Sequence, residues 1–194
     1  MRDRRLGWLL LLGGGIGAVA ALVLLLEKIA LLKDSSYVPT CSLNPVLNCG
    51  SVMRTDQAAL FGFPNPVLGV ALFPLVLATG AALLAGARLA RWYWLGLQVG
   101  VLAGLGLVSW LIFQSLYRIG ALCPYCMVVW AVTVPLALYI TRRNLLAGVF
   151  GPTAATSAIT RSLASWHALI LTLAVLTVIV LALQRFWSYF STLA

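Results

Sequence analysis

The chain has 194 residues, of which 62% are hydrophobic and only 9% charged, and its mean hydropathy is +1.04. No water-soluble domain of this size exposes such a surface, so the composition excludes a soluble enzyme and specifies an integral membrane protein. The net charge of +9 comes from 13 Lys and Arg scattered between apolar runs, without the basic stripe and interleaved aromatics of a nucleic-acid surface, so a nucleic-acid partner is excluded too.

A basic lead at residues 1–5 precedes a charge-free run over 6–26. As a helix that run rises about 31 Å, enough for a hydrocarbon core of about 30 Å. Ala18-Val19-Ala20 is similar to a signal-peptide cleavage site, but the apolar run continues past it, and the segment reads as an uncleaved first span. Gly15-Ile16-Gly17-Ala18-Val19-Ala20 spells a dinucleotide fingerprint with no strand before it, and therefore reads as glycine for helix packing.

Residues 27–66 are the longest stretch outside the spans and hold Cys41 and Cys49. Within them, 50–61 fits a short surface helix with Val52, Met53, Leu60 and Phe61 toward lipid and Arg54, Asp56 and Gln57 toward water. Gly62-Phe63-Pro64-Asn65-Pro66 ends it and turns the chain into a second span over 67–87, with Pro74 a kink. Arg88 and Arg91 mark the next turn. A third span over 92–117 opens on the interfacial aromatics Trp92-Tyr93-Trp94; in it Gly96, Gly100 and Gly104 form one face for close helix contact. Arg118 and Gly120 turn the chain into a fourth span over 123–141, kinked at Pro135 and ended by Arg142-Arg143. A polar linker over 144–165 leads to a fifth span over 166–184, and Phe186, Trp187, Tyr189 and Phe190 form a closing aromatic belt before the end at Ala194. The organisation is thus a four-span unit over 1–143, a linker over 144–165 and a fifth helix with a short tail over 166–194.

These spans place Arg2, Arg4, Arg5, Arg88, Arg91, Arg142, Arg143 and Arg161 on one side, and Lys28, Lys33, Arg54, Arg118 and Arg185, offset by Glu27, Asp34 and Asp56, on the other. The positive-inside rule makes the first side cytoplasmic. The N-terminus is then expected to be cytoplasmic, and the C-terminus and all four cysteines to lie on the extracytoplasmic face. Disulfides form and persist in that compartment.

Cys123-Pro124-Tyr125-Cys126 is a C-x-x-C at the entrance of the fourth span. Pro124 suits a first helical position, which puts Cys123 at a helix N-terminus that favours a thiolate and Cys126 one turn deeper on the same face. The expectation is a wet sulfur at 123 and a buried one at 126. Taken alone, Cys41 and Cys49 are most simply a structural disulfide. A four-cysteine zinc site fits poorly, since structural zinc pairs are usually spaced more closely, and no metal is expected. Two pairs on one side can also exchange through a mixed disulfide. Asn65, between two prolines, caps or turns the chain. Phe63, Met127 and Trp130 either line a pocket or belong to the bundle core. His167 lies at the far end of the fifth span from the cysteines, and Ser51 either caps the surface helix, the simpler reading, or hydrogen-bonds a thiolate.

The C-x7-C of Cys41 and Cys49 after the first span, Asn65 and Gly69 entering the second, and the C-x-x-C opening the fourth together resemble the vitamin K epoxide reductase family over about residues 6–143. The DsbB type of thiol oxidase carries its C-x-x-C in the first outer loop, the reverse order. The resemblance implies a four-helix bundle around a quinone, menaquinone or ubiquinone, with the fifth helix an outlying addition. It implies that Cys126 contacts the quinone, that Cys123 exchanges with Cys49, that Cys41 takes electrons from a separate thioredoxin-like (DsbA-like) protein, and that Asn65 points its amide at a quinone carbonyl. The expected function is therefore a thiol:quinone oxidoreductase supporting disulfide formation. Trp130 stands where animal members have a tyrosine, which favours quinone reduction over the alternative, reduction of a naphthoquinone epoxide. A non-enzymatic membrane protein with structural disulfides is the more distant alternative, weakened because the charge-free runs hold no ionisable group of the transport kind apart from His167 near an end.

Overall fold

The computed structural model describes residues 2–191, except for the side chains of Arg2, Asp3, Ser188, Phe190 and Ser191. The Arg2 charge, the Phe190 ring of the closing belt and the end at Ala194 lie outside the described residues. The helices are α1 (Arg2–Lys33), α2 (Cys49–Met53), α3 (Pro66–Leu84), α4 (Arg91–Gln114), α5 (Pro124–Leu146), α6 (Pro152–Thr156) and α7 (Ala158–Ser191). A 3-10 turn at Asp56–Ala59 and a π turn at Ser115–Ile119 complete the regular structure, together with one isolated parallel bridge between Leu47 and Leu122. Among the described residues five helices are long and apolar enough to cross a membrane: α1, α3, α4 with its π turn, α5 and α7. This is an all-α membrane protein, as the sequence implies.

Helix-breaking chemistry rather than hydropathy sets where these helices stop. α1 runs on through Glu27 and Lys28 to Lys33, because that stretch contains only good helix formers. At 32 residues it is about 48 Å long, so its last turns stand clear of the hydrocarbon. It ends where the Asp34 carboxylate accepts from the Ser36 N–H at 2.8 Å and hydroxyl at 2.6 Å. α5 likewise passes Arg142-Arg143 to Leu146, and the segment expected to be a linker carries α6 and the first turns of α7. The surface helix expected over 50–61 is instead two short pieces, because Thr55 takes an extended conformation (φ −83, ψ 154) between them. Its Met53 is 4% exposed and points into the protein rather than toward lipid.

α1 packs along α3 and against α5, and α5 packs against α4 and α7. The α1–α3 contact is close because glycines meet backbone: a Cβ on Gly14 would strike the backbone of Leu77, and one on Gly80 that of Leu11. Glycine in the first span therefore does serve helix packing. The repeat in α4 does not. A Cβ on Gly96 or Gly100 would meet nothing within 4 Å, and one on Gly104 only Thr133 Cγ2 at 4.0 Å. All three line an open cavity between α3 and α4 instead of making the close helix contact that the sequence suggested.

At the end of the bundle away from the cysteines, buried polar groups lock α4 to α5. Asn144, fully buried, donates to Gln98 Oε1 at 2.9 Å and to the Trp94 carbonyl at 3.3 Å, and Gln98 donates to Thr141 Oγ1 at 2.8 Å. Such pairing is what an apolar surrounding demands of buried amides. α7 is not a loose addition at its other end. Phe186 leaves helical geometry (φ −107, ψ 15) to pack with Val46, Leu116, Leu122 and Trp130, and Arg185 Nε donates to the Leu116 carbonyl at 2.8 Å.

Candidate redox site

Short-range turn chemistry brings the loop to α5. The Asn44 side-chain oxygen accepts from the N–H groups of Val46 and Leu47 at 3.0 and 2.7 Å, which turns the chain at Asn44-Pro45. The turned segment pairs with the strand-like residues before α5: Leu122 N–H donates to the Val46 carbonyl at 2.7 Å, and Asn48 N–H to the Leu122 carbonyl at 2.8 Å. Asn48 then caps α2, its Oδ1 accepting from Ser51 N–H at 2.9 Å and Ser42 Oγ at 3.1 Å. The cap is therefore Asn48, and Ser51 supplies the N–H it receives.

The bridge carries Cys49 and Cys123 to the same place, each one or two residues beyond a paired position. Cys41 and Cys49 form a disulfide, and Cys49 Sγ lies 3.1 Å from Cys123 Sγ. Cys123 and Cys126 are free thiols. Cys123 caps α5, with Pro124 at the first helical position as expected, and its sulfur accepts from the Cys126 N–H at 3.4 Å. The expected exposure is reversed. Cys123 is only 1% exposed, covered by Cys49, Met53, Leu24 and Leu31, whereas Cys126 is half-buried and opens onto the cavity. Hydrogen bonding from the Cys126 thiol, with help from the backbone N–H groups of Cys126 and Tyr125, holds the Cys123 thiol below its ordinary range even though burial pushes it up.

Above the disulfide, the Glu27 carboxylate of α1 accepts from the Thr40 hydroxyl at 2.5 Å and from its N–H at 3.3 Å, and so fixes the residue before Cys41. Glu27 is 7% exposed, and its engagement satisfies what would otherwise be a costly buried group. Three sulfurs, those of Cys41, Cys49 and Cys123, lie within 4.8 Å of one another. Two of them are bonded together and offer no thiolate to a metal, so the arrangement suits exchange.

The cavity beside Cys126 has a volume of about 730 Å³, within the range of small-molecule sites. It runs between α3 and α4 from Lys28 and Met53 at the sulfur end toward Trp92 and Tyr93. Thr79 Oγ1 and Tyr93 Oη, 2.5 Å apart, join α3 to α4 beyond the gap. Phe63, Asn65 and Trp130 are on its wall; Met127 is not, and is 39% exposed elsewhere. The Asn65 amide is engaged at both ends, donating to the Gln57 carbonyl at 2.7 Å and accepting from Leu60 N–H at 3.0 Å, which ties the loop before α3. One amide N–H is left for a ligand. Asn44, Asn48, Glu27 and Lys28 were not singled out in the sequence; only the Asn-Pro pair and the Asn three residues before Ser51 carried a local signal.

Fold and site together define a membrane-embedded protein that holds a disulfide and a dithiol in contact beside an apolar cavity. The family model described as Vitamin K epoxide reductase family matches residues 8–141, more than half of the chain, and the protein belongs to that family. It is accordingly a membrane oxidoreductase. A search of curated proteins finds no match. α7 lies beyond the matched residues.

Proposed function

We propose that the protein is a thiol:quinone oxidoreductase that oxidises a separate thioredoxin-like protein on the extracytoplasmic face of a bacterial inner membrane. The observation that carries this reading is the 3.1 Å approach of Cys49 Sγ to Cys123 Sγ with Cys126 opening onto the apolar cavity. The partner's dithiol reduces the Cys41–Cys49 bridge, with Cys41 the sulfur that meets the partner. Cys49 thiolate then attacks Cys123 of a Cys123–Cys126 disulfide, and two electrons pass inward as the outer bridge re-forms. A bridged outer pair with free inner thiols, the arrangement in the structure, is what such an exchange would leave and supports this reading. Cys126 next faces a quinone in the cavity; the two thiols become a disulfide and the quinone leaves as quinol. A quinone that is 30 mV more oxidising than the partner gives about 1.4 kcal/mol for a two-electron step, so a modest gap suffices. Phe63 and Trp130 shape the cavity wall, and the spare N–H of Asn65 is directed to a quinone carbonyl.

The test is quinol formation by the purified protein supplied with a reduced thioredoxin-fold protein and a short-chain ubiquinone or menaquinone. Wild type makes quinol, Cys126→Ser abolishes it, and Cys41→Ser blocks electron entry from the partner. Equal quinol formation in all three would reduce the cysteines to structural bridges. Quinone release from a supplied naphthoquinone epoxide, without turnover on the quinone itself, would replace this reading with epoxide reduction.

A further inference from the structure

Among the described residues that line the cavity, Lys28 alone carries a charge. Its ammonium donates to the Met53 carbonyl at 2.5 Å, and two N–H groups remain for other acceptors. Among the described residues no carboxylate pairs with it. Glu27, its sequence neighbour, is committed to Thr40, and the cation closest in influence, Arg54, adds to the positive potential there. Lys28 is half-buried in the last turns of α1, beside an otherwise uncharged cavity lining. It is suited to a negative charge that appears only during turnover.

The ammonium also lies at the right end of the cavity. Met53, whose carbonyl it holds, packs its side chain with Cys49, Cys123 and Cys126, and Leu24, one turn before Lys28 on α1, belongs to the same cluster. The other polar side chains on the wall, Asn65 and Gln57 among them, are neutral, and Asn65 has one N–H to spare. Lys28 is thus the strongest donor near the sulfurs.

We infer that Lys28 is a catalytic residue that neutralises the quinone oxygen on which negative charge builds as the Cys123–Cys126 dithiol is oxidised. The inference rests on the quinone reading above. In the step concerned, the two thiols give up two electrons and two protons and become a disulfide, and the quinone takes up both and becomes quinol. The N–H groups of Lys28 bind the charged oxygen until its proton arrives.

The experiment is single-turnover quinol formation by the full-length protein, pre-reduced at both pairs, over a range of a short-chain ubiquinone. It gives the limiting rate and the half-saturating concentration separately. Lys28→Gln is expected to lower the limiting rate roughly 10²-fold, the scale of losing one oxyanion donor, with little change in half-saturation. Lys28→Arg restores most of the rate. Exchange between the cysteine pairs, followed by trapping their disulfides, stays at the wild-type rate in both, which a loss of sulfur geometry would not allow. Lys28→Met, which keeps the aliphatic stem, gives the same comparison if Lys28→Gln does not fold. An unchanged limiting rate in Lys28→Gln, or a rate that falls in step with cysteine exchange, overturns the inference and leaves the quinone reading standing. If wild type makes no quinol, or Cys126→Ser makes it as fast, both fall together.

Discussion

Hydrogen bonding from Cys126 lowers the pKa of the Cys123 thiol at a helix start, against the burial that pushes it up. Since the thiolate is the nucleophile, alkylation of Cys123 by iodoacetamide should rise with pH to a plateau, with its midpoint below that of an ordinary cysteine. Cys126→Ala removes the largest stabiliser of the thiolate and leaves the burial, so the midpoint moves to higher pH. Mass spectrometry of the Cys123 peptide across a pH series reads this directly; an unmoved midpoint would assign the effect to the backbone N–H groups alone. The C-x-x-C, its proline and its place at a helix start were legible in the sequence, because they are local. Which sulfur is covered was not, since the cover comes from Met53 and Cys49, some seventy residues away in the chain.

At the scale of elements, glycines inside different spans do different things. Gly80 on α3 faces the backbone of α1, and a methyl group there meets Leu11 N and the Gly7 carbonyl. Gly80→Ala should therefore force α1 and α3 apart and lower thermal stability, by about 1–3 kcal/mol on the scale of overpacked cores. Gly100→Ala adds a methyl group to open space, and alanine is the better helix former by about 1 kcal/mol in water. Its unfolding temperature in detergent should stay level or rise. Equal losses in the two variants would mean that α3 and α4 close on each other after all. Periodicity identifies a small-residue face but not what the face meets, which depends on how far apart two helices run. The five spans were legible for a simpler reason, that hydrocarbon thickness and apolar length are one-dimensional quantities. Their ends were less so, because α1 and α5 continue past their charged residues until a breaker stops them.

For the whole molecule, the two ends of the bundle differ in charge as well as in chemistry. Arg88, Arg91, Arg142 and Arg143 gather at the end locked by Asn144 and Gln98, and the sulfurs occupy the other. If the arginine end is cytoplasmic, the disulfide and the loop before Cys41 face an oxidising space, where a thiol oxidant is of use. Reversed, the same sulfurs would face a thiol-reducing cytosol that empties the relay. The prediction is made with single new cysteines at exposed positions, Ser35→Cys beside the relay and Ala87→Cys in the turn between α3 and α4. A membrane-impermeant maleimide added to intact cells should label Ser35→Cys, and should reach Ala87→Cys only after the membrane is opened. Labelling of Ala87→Cys alone in intact cells would invert the molecule and end the case for extracytoplasmic disulfide formation, while leaving the sulfur geometry and the cavity to serve a reaction of opposite direction.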